Sequence, residues 1–274
     1  MAKLEIRETD RTSASGIGRP RIMLITPSRI AYRSLFGKPG VRTFGAWMFY
    51  LALDQAFQIS VDGGPVRAES IALVPPYVPH RVSTPDRELA QVLIEAETVE
   101  SRTTGGISAL GSLIDTPERR AETLTRMREG FERPLRSPED FDRQFFGRDL
   151  PARALDTRIS RAIARINACR AGSITAEACA AAAGLSFSRF THLFGSETQT
   201  TFRRFRAWKR ARGLLPMVGA GLSLVNVALD AGYADSTHFS HSVRQFYGYT
   251  PRDIFSGSRR LAVVSQWPSG AAAA

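Results

Sequence analysis

The stretch SLVNVALDAGYADSTHFSHSVRQFYGYTP, residues 223–251, decides how the rest of the chain is read. Val225, Val227, Ala228 and Ala231 give a short helix one apolar side, and Gly232 supplies the left-handed residue that ends it. Asp235 then caps a second helix that carries Phe239 and Phe246 inward. The pattern predicts helix, tight turn, helix. Outward, the second helix presents Ser236, Thr237, His241 and Arg244, spaced three to four apart on one face. Small hydroxyls, an imidazole and a guanidinium suit base edges and the phosphates beside them, whereas a merely solvated face more often carries Glu and Lys pairs. His238 reads equally as a packed histidine that positions the helix.

Charge points the same way. Residues 151–274 hold 16 Lys and Arg against 6 Asp and Glu, a net +10, while residues 1–150 hold 21 against 20, a net +1. The excess sits on the half with the paired helices, as expected of a polyanion-binding domain joined to a neutral one. At 274 residues with 43% hydrophobic side chains, the chain exceeds what one core usually holds, so two domains are expected. Its two cysteines, Cys169 and Cys179, lie in apolar helical surroundings and support neither a disulfide framework nor a Cys-based metal site. The N-terminus lacks the apolar run of a secretion signal, so a cytoplasmic location is expected.

Along the chain, residues 1–20 are polar and are expected to form a flexible arm. From Ile22 to about Glu97 come short runs rich in β-branched and aromatic residues, IMLI, VRTFGAWMFYLAL, FQISVDG, SIALVPP, HRVSTP and LAQVLIEA. Gly63-Gly64-Pro65 marks a turn between two of them. These predict an antiparallel β barrel or half-sandwich. His80, the only histidine before residue 151, reads as structural or ligand-contacting, because a metal site here would have to be built from one imidazole and carboxylates. Over 107–146 the pattern becomes helical, with Leu124, Met127 and Phe131 in one stripe that could pair two copies of the chain or cover the sheet. A domain of residues 21–150 is therefore expected before a second of 151–256.

In that second domain, a helix opens at Asp156 or Thr157 and runs to Arg170, ending at Gly172. A nearly all-Ala helix follows over 175–183, Gly184 ends it, and Ser186 caps a third helix with Phe190, Leu193 and Phe194 inward. This makes a first helix-turn-helix at about 175–196, ahead of the second at 223–246. Residues 257–274 are expected to be a disordered tail.

The stretch 223–251 resembles the second helix-turn-helix of the AraC/XylS family of bacterial transcription regulators through Val227-Ala228, Gly232-Tyr233, Asp235, Ser236, Phe239-Ser240, Phe246, Tyr247-Gly248 and Thr250-Pro251. Val243 and His241 depart from the family's usual aromatic and Arg. The resemblance continues in Gly184-Leu185-Ser186, Arg189-Phe190 and Leu193-Phe194, and in a linker helix carrying Phe202, Arg204, Phe205, Trp208 and Arg210, which Pro216 should kink or stop. It implies base contacts from Ser188, Thr191 and His192 in one recognition helix, beside Ser186, and from Ser236, Thr237 and His241 in the other. Arg189 and Arg244 would grip phosphates. Gly184, Phe194, Trp208, Arg210, Gly232, Phe239, Gly248 and Pro251 would be scaffold, with Phe205 and Trp208 buried between the motifs. The run from Ile71 to Val82, with its Pro-Pro-Tyr-Val-Pro-His80, resembles the cupin-like sensor domain of many such regulators.

The expected protein is thus an α+β, two-domain chain: a cupin-like antiparallel β barrel followed by helices, then an all-α domain with two helix-turn-helix motifs joined by a long linker helix. The resemblance implies a homodimeric activator or repressor without catalysis, metal or cofactor, acting on double-stranded promoter DNA and RNA polymerase. A small-molecule effector would sit in the first domain, with Trp47, Phe49 and His80 as candidate contacts. The competing readings are a cupin-type enzyme, disfavoured by the missing cluster of ligands or nucleophile, and a nucleoid-associated binder, disfavoured by the mixed polar recognition faces.

Overall fold

A computed structural model describes residues 19–100, 109–168, 174–218, 222–257 and 261–265. Most of the arm, the segment around Ile107, Cys169 and the expected helix end at Arg170 to Gly172 lie outside the described residues. The N-terminal half is built on a six-stranded sheet in the order β6-β3-β8-β2-β1-β9, with a three-stranded sheet β5-β4-β7 beside it. The strands are β1 (Ile22–Ile25), β2 (Arg29–Leu35), β3 (Ala46–Leu51), β4 (Phe57–Val61), β5 (Arg67–Glu69), β6 (Ile71–Val74), β7 (His80–Ser83), β8 (Glu88–Glu95) and β9 (Ala262–Ser265).

Sequence reading located β1, β3, β4, β6, β7 and β8 but neither the three-residue β5 nor β2, whose RIAYRSL lacks clean alternation because both its faces are covered. The turn at Gly63 is present, with Asp62 and Gly63 both at positive φ and Gly64 N–H donating to Val61 O. The larger correction is at the C-terminus. AVVS is no disordered tail: it pairs in parallel with β1, from Ile22 opposite Ala262 to Ile25 opposite Ser265, and makes the sheet mixed. Its four apolar or small residues carry too weak a pattern to be read as a strand until an edge is there to receive them.

The two faces of the large sheet bury different things, because successive strand residues point to opposite sides. On one face Phe49, Leu51, Val92 and Ile94 meet helices α1 (Pro117–Gly130) and α2 (Phe141–Phe146) through Met127, Phe131, Phe141, Phe145 and Phe146. The Leu124 stripe therefore covers the sheet within the chain, with Met127 and Phe131 buried and Leu124 packed beside them.

On the other face Met23, Ile25, Met48, Tyr50 and Leu93 join Phe57, Ile59 and Val82 of the small sheet. The same cluster continues into Trp208, Ala211, Val227, Phe239, Val243 and Phe246. The second helix-turn-helix therefore shares one core with the sheets. The first keeps its own, built from Ile159, Ile163, Ile166, Phe190, Phe194, Phe202 and Phe205.

Helices α3 (Thr157–Ala168), α4 (Ala176–Ala182), α5 (Phe187–Thr198), α6 (Phe202–Arg212), α7 (Leu224–Asp230), α8 (Ser236–Tyr247) and α9 (Pro251–Gly257) make up the C-terminal half. Helix α6 stops at Arg212, and Pro216 lies in a following 3₁₀ turn, as its fixed φ and missing N–H require. Among the described residues, no helix is long and apolar enough to cross a membrane.

Candidate DNA interface

The two helix pairs are made by one repeated device. In the first, Thr175 Oγ1 accepts from Ala178 N–H to start α4, Gly184 turns the chain at φ +65°, and Leu185 N–H closes the end of the helix onto Ala180 O at 3.0 Å. Ser186 Oγ then accepts from Arg189 N–H to start α5. In the second, Ser223 Oγ accepts from Asn226 N–H, Gly232 turns at φ +71°, Tyr233 N–H bonds Ala228 O at 2.9 Å, and Asp235 Oδ1 accepts from His238 N–H at 2.7 Å. Each pair combines a hydroxyl cap, a left-handed glycine and a second cap, which satisfies the orphan backbone groups at the break. Nothing lies within 4 Å of a Cβ added at Gly184, so φ alone makes glycine the fitting residue there.

Inward, Phe190 and Phe194 are fully buried against Phe202 and Phe205, with ring centroids 5.3–5.8 Å apart. Phe239 packs against Tyr233, and Val243 and Phe246 are buried. Val243 fills its core place as a β-branched aliphatic side chain. Outward, Ser186, Ser188, Arg189 and His192 on α5 are exposed and Thr191 half-buried, its hydroxyl turned back to Phe187 O and Ser188 O. On α8, Ser236, Thr237, His241 and Arg244 are all exposed, as is His238, which sets its ring edge-on to Tyr233 at 5.5 Å. Of the residues expected to face a ligand on these helices, all but the half-buried Thr191 are exposed. Arg210 lies over the Tyr233 ring and Pro251 is buried at the start of α9.

Scaffold residues divide differently from the expectation. Phe205 belongs to the first motif's core, whereas Trp208 is wholly buried among Phe246 and Tyr247 of the second motif and Phe44 of the sheet domain. Its indole Nε1–H donates to Glu95 Oε2 at 3.0 Å. Gly45 makes room for it: a Cβ there would stand 2.3 Å from Trp208 Cγ. Gly248 caps α8 at φ +72° while its carbonyl accepts from Gly40 N–H at 2.7 Å, and Thr43 N–H donates to Gln245 O at 3.0 Å.

Sequence reading missed a charged cluster beneath α6. Glu95, fully buried at the end of β8, receives Lys209 Nζ at 2.5 Å and Arg212 Nε at 2.6 Å. Lys209 also pairs with Glu97, and Arg212 Nη2 donates to Thr26 O at 2.7 Å. Burial works to raise the Glu95 pKa, but the two cations and the donors from Lys209 and Trp208 outweigh it and hold it below its ordinary value. The available signal was Glu95's parity: it shares a strand face with Leu89 and Leu93, where a carboxylate needs partners.

A cavity of about 570 Å³ lies between the sheet domain and the second motif, lined among others by Tyr32, Phe36, Arg42, Phe44, Leu93 and Tyr249. Arg42 is 2% exposed, with its guanidinium carbon 4.5 Å from the Phe36 centroid and 5.1 Å from that of Tyr50. Among the described residues its Nε and Nη2 have no hydrogen-bond partner.

None of the three residues proposed to contact an effector lines this cavity. Trp47 and Phe49 point to the opposite face of β3, toward α1 and α2. His80 is committed to structure. Its Nδ1 donates to Val78 O at 2.8 Å, so its Nε2 accepts from Tyr50 Oη at 2.6 Å. Burial and the nearby Arg42 lower its pKa to about 4, which keeps it neutral. Among the described residues, no group of His, Cys, Asp and Glu could hold a metal ion.

Residues 179–256 match the family model described as a helix-turn-helix domain. No curated protein matches the chain. Among solved structures, apo ToxT K231A from Vibrio cholerae strain SCE256 is similar at a TM-score of 0.57, with 9% identity, over 84% of this chain and 98% of that one. ToxT from Vibrio cholerae O395 gives 0.54 with 12% identity, over 84% and 98%. ToxT O395 bound to (E)-4-(8-methylnaphthalen-1-yl)but-3-enoic acid gives 0.50 with 9% identity, over 84% and 99%. At such identities the likeness is one of fold. It spans both halves.

Proposed function

We propose, for a chain that carries an AraC-type helix-turn-helix domain behind a cupin-like sheet domain, that it is a sequence-specific DNA-binding transcription regulator that performs no chemistry. The observation that carries this reading is the pair of capped, glycine-broken helix pairs whose second helices, α5 and α8, turn hydroxyls, imidazoles and a guanidinium to solvent. Each would enter a major groove, with successive grooves on one DNA face about 34 Å apart. Serines, threonines and histidines would read bases, while Arg189 and Arg244 would hold phosphates. RNA polymerase is the partner through which a promoter-bound protein of this kind acts. Pairing of two copies would use a surface other than Met127 and Phe131, which the sheet buries.

Selection of bound sequences from a random DNA pool tests the reading, with two boxes about one helical turn apart as the expected result. On the selected operator, Thr191→Ala and His192→Ala should relax the preference within one box, each by about 1–3 kcal/mol. Arg244→Ala should weaken operator and random DNA alike and lower the salt slope by about one. Equal losses on both DNAs for all three variants would sink the assignment.

The effector reading rests on the interdomain cavity. ToxT accepts an acid with a bulky apolar body, and here a buried guanidinium with unused donors stands in an aromatic wall. A monocarboxylate with an apolar body satisfies both, because a bidentate carboxylate would supply the missing acceptors. Titration with the same naphthyl-butenoic acid should show binding that weakens at least about tenfold in Arg42→Gln, which corresponds to the loss of one charge-assisted pair. No binding to the wild type, or equal binding to both, would remove this ligand class.

A further inference from the structure

One face of β8 joins the cavity to α6. Residues two apart on a strand share a side; Gln91 and Leu93 line the cavity, and Glu95, next in the same row, lies under α6. Thr26, which accepts from Arg212, directly follows β1, whose Met23 also lines the cavity. The wall of the cavity and the anchor of α6 are therefore made by the same two strands.

Helix α6 in turn connects the motifs. Phe205 sits in the first motif's core and Trp208 and Ala211 in the core that the second motif shares with the sheets. The first motif's buried cluster includes no residue of the sheets. How α6 is held therefore sets how α5 stands relative to α8. Along its length α6 is fastened to the sheet domain by Arg204 to Tyr77 O at 3.0 Å, by Lys209 to Glu95 and Glu97, and by Arg212 to Glu95 and Thr26. Ion pairs buried this deeply cannot loosen one partner at a time without stranding a charge, so the cluster moves with β8 or breaks as a unit.

We propose that the Glu95 cluster is the coupling element of this protein, transmitting the state of the interdomain cavity through β8 to α6 and so to the relative setting of the two recognition helices. The proposal deepens the regulator reading and rests on it for the DNA-binding consequence. Its physical content is a packed element that both sites bias, which is what coupling between distant sites requires.

Two measurements on the full chain test it. In hydrogen exchange, Lys209→Met should speed the amides of 202–212 by about tenfold or more, while β8 and the first motif's α4 and α5 keep their wild-type rates. Unchanged exchange in α6 would overturn the clamp. Should Lys209→Met fail to fold, Glu97→Gln, which releases one of the two carboxylates holding Lys209, carries the same readout.

For coupling, Leu93→Phe pushes extra volume into the cavity wall and stands in for occupancy. It should change the dissociation constant for the selected operator by about fivefold or more in the wild-type background and by less than about twofold in the Lys209→Met background. An equal change in both backgrounds, or no change in either, would overturn the relay. Failure to select any operator would count against the regulator reading, and the exchange measurement would still decide the clamp.

Discussion

Glu95→Ala is expected to destabilise the chain by about 3–5 kcal/mol, the effect of stranding buried charges by removing their partner. The carboxylate is fully buried, and the Lys209 and Arg212 side chains facing it are 7% and 4% exposed. Taking it away leaves Arg212 its bond to Thr26 O and Lys209 its pair with Glu97, but deletes the charge between them. Denaturant unfolding at neutral pH, comparing wild type, Glu95→Ala and Glu95→Gln, measures it. Gln should lose less than Ala because its amide oxygen still accepts from Trp208.

The sign of the pH dependence follows from the depressed pKa of Glu95. A carboxyl whose folded pKa lies below its ordinary 4.5 contributes stability that is present above about that pH and is lost as the pH falls through the folded value. Wild type should therefore lose stability more steeply in acid than Glu95→Gln. Parallel acid profiles would show that the cluster contributes nothing as an ion pair.

Trp208→Ala should cost about 3–5 kcal/mol through the cavity it leaves. The side chain is wholly buried between Phe44, Phe246 and Tyr247, and its loss also removes a donor to Glu95. Gly45→Ala approaches the same contact from the other side. Its new methyl would stand 2.3 Å from Trp208 Cγ, and the indole it meets is itself caged, so about 1–3 kcal/mol is expected. The two defects are partly complementary: Trp208→Ala removes the Cγ and Cδ1 that crowd position 45 but keeps its own Cβ, 2.7 Å from the added methyl, so in that background Gly45→Ala should cost less than in the wild type without becoming neutral. A double-mutant cycle by thermal unfolding reads this coupling. Simple additivity would mean that the indole relaxes away from position 45.

Both helix pairs were legible because their determinants are local. Hydroxyl or carboxylate caps at Thr175, Ser186, Ser223 and Asp235 and the left-handed glycines Gly184 and Gly232 act within five residues of themselves. The inward aromatics follow a helical period, so the exposed faces of α5 and α8 were fixed by subtraction. Trp47, Phe49 and His80 lie away from the interdomain cavity for a related reason: strand parity says which residues share a face, but not which face receives the second domain. His80 spends its nitrogens on Val78 and Tyr50. Likewise the Leu124 stripe announced an apolar contact without naming its partner, which is the chain's own sheet.

By itself, then, the sequence determined the β-rich first half, the two helix pairs and the basic second half, since these rest on periodicity, capping and charge that act along a few residues of chain. Only the tertiary structure decided that the second motif shares the sheet domain's core, that AVVS becomes β9, that Arg42 faces an interdomain cavity and that Glu95 clamps α6 through partners more than 100 positions away. Those outcomes depend on which surfaces meet. A buried charge, an edge strand or a glycine cleared for an indole gains its meaning only from a neighbour that local sequence does not contain.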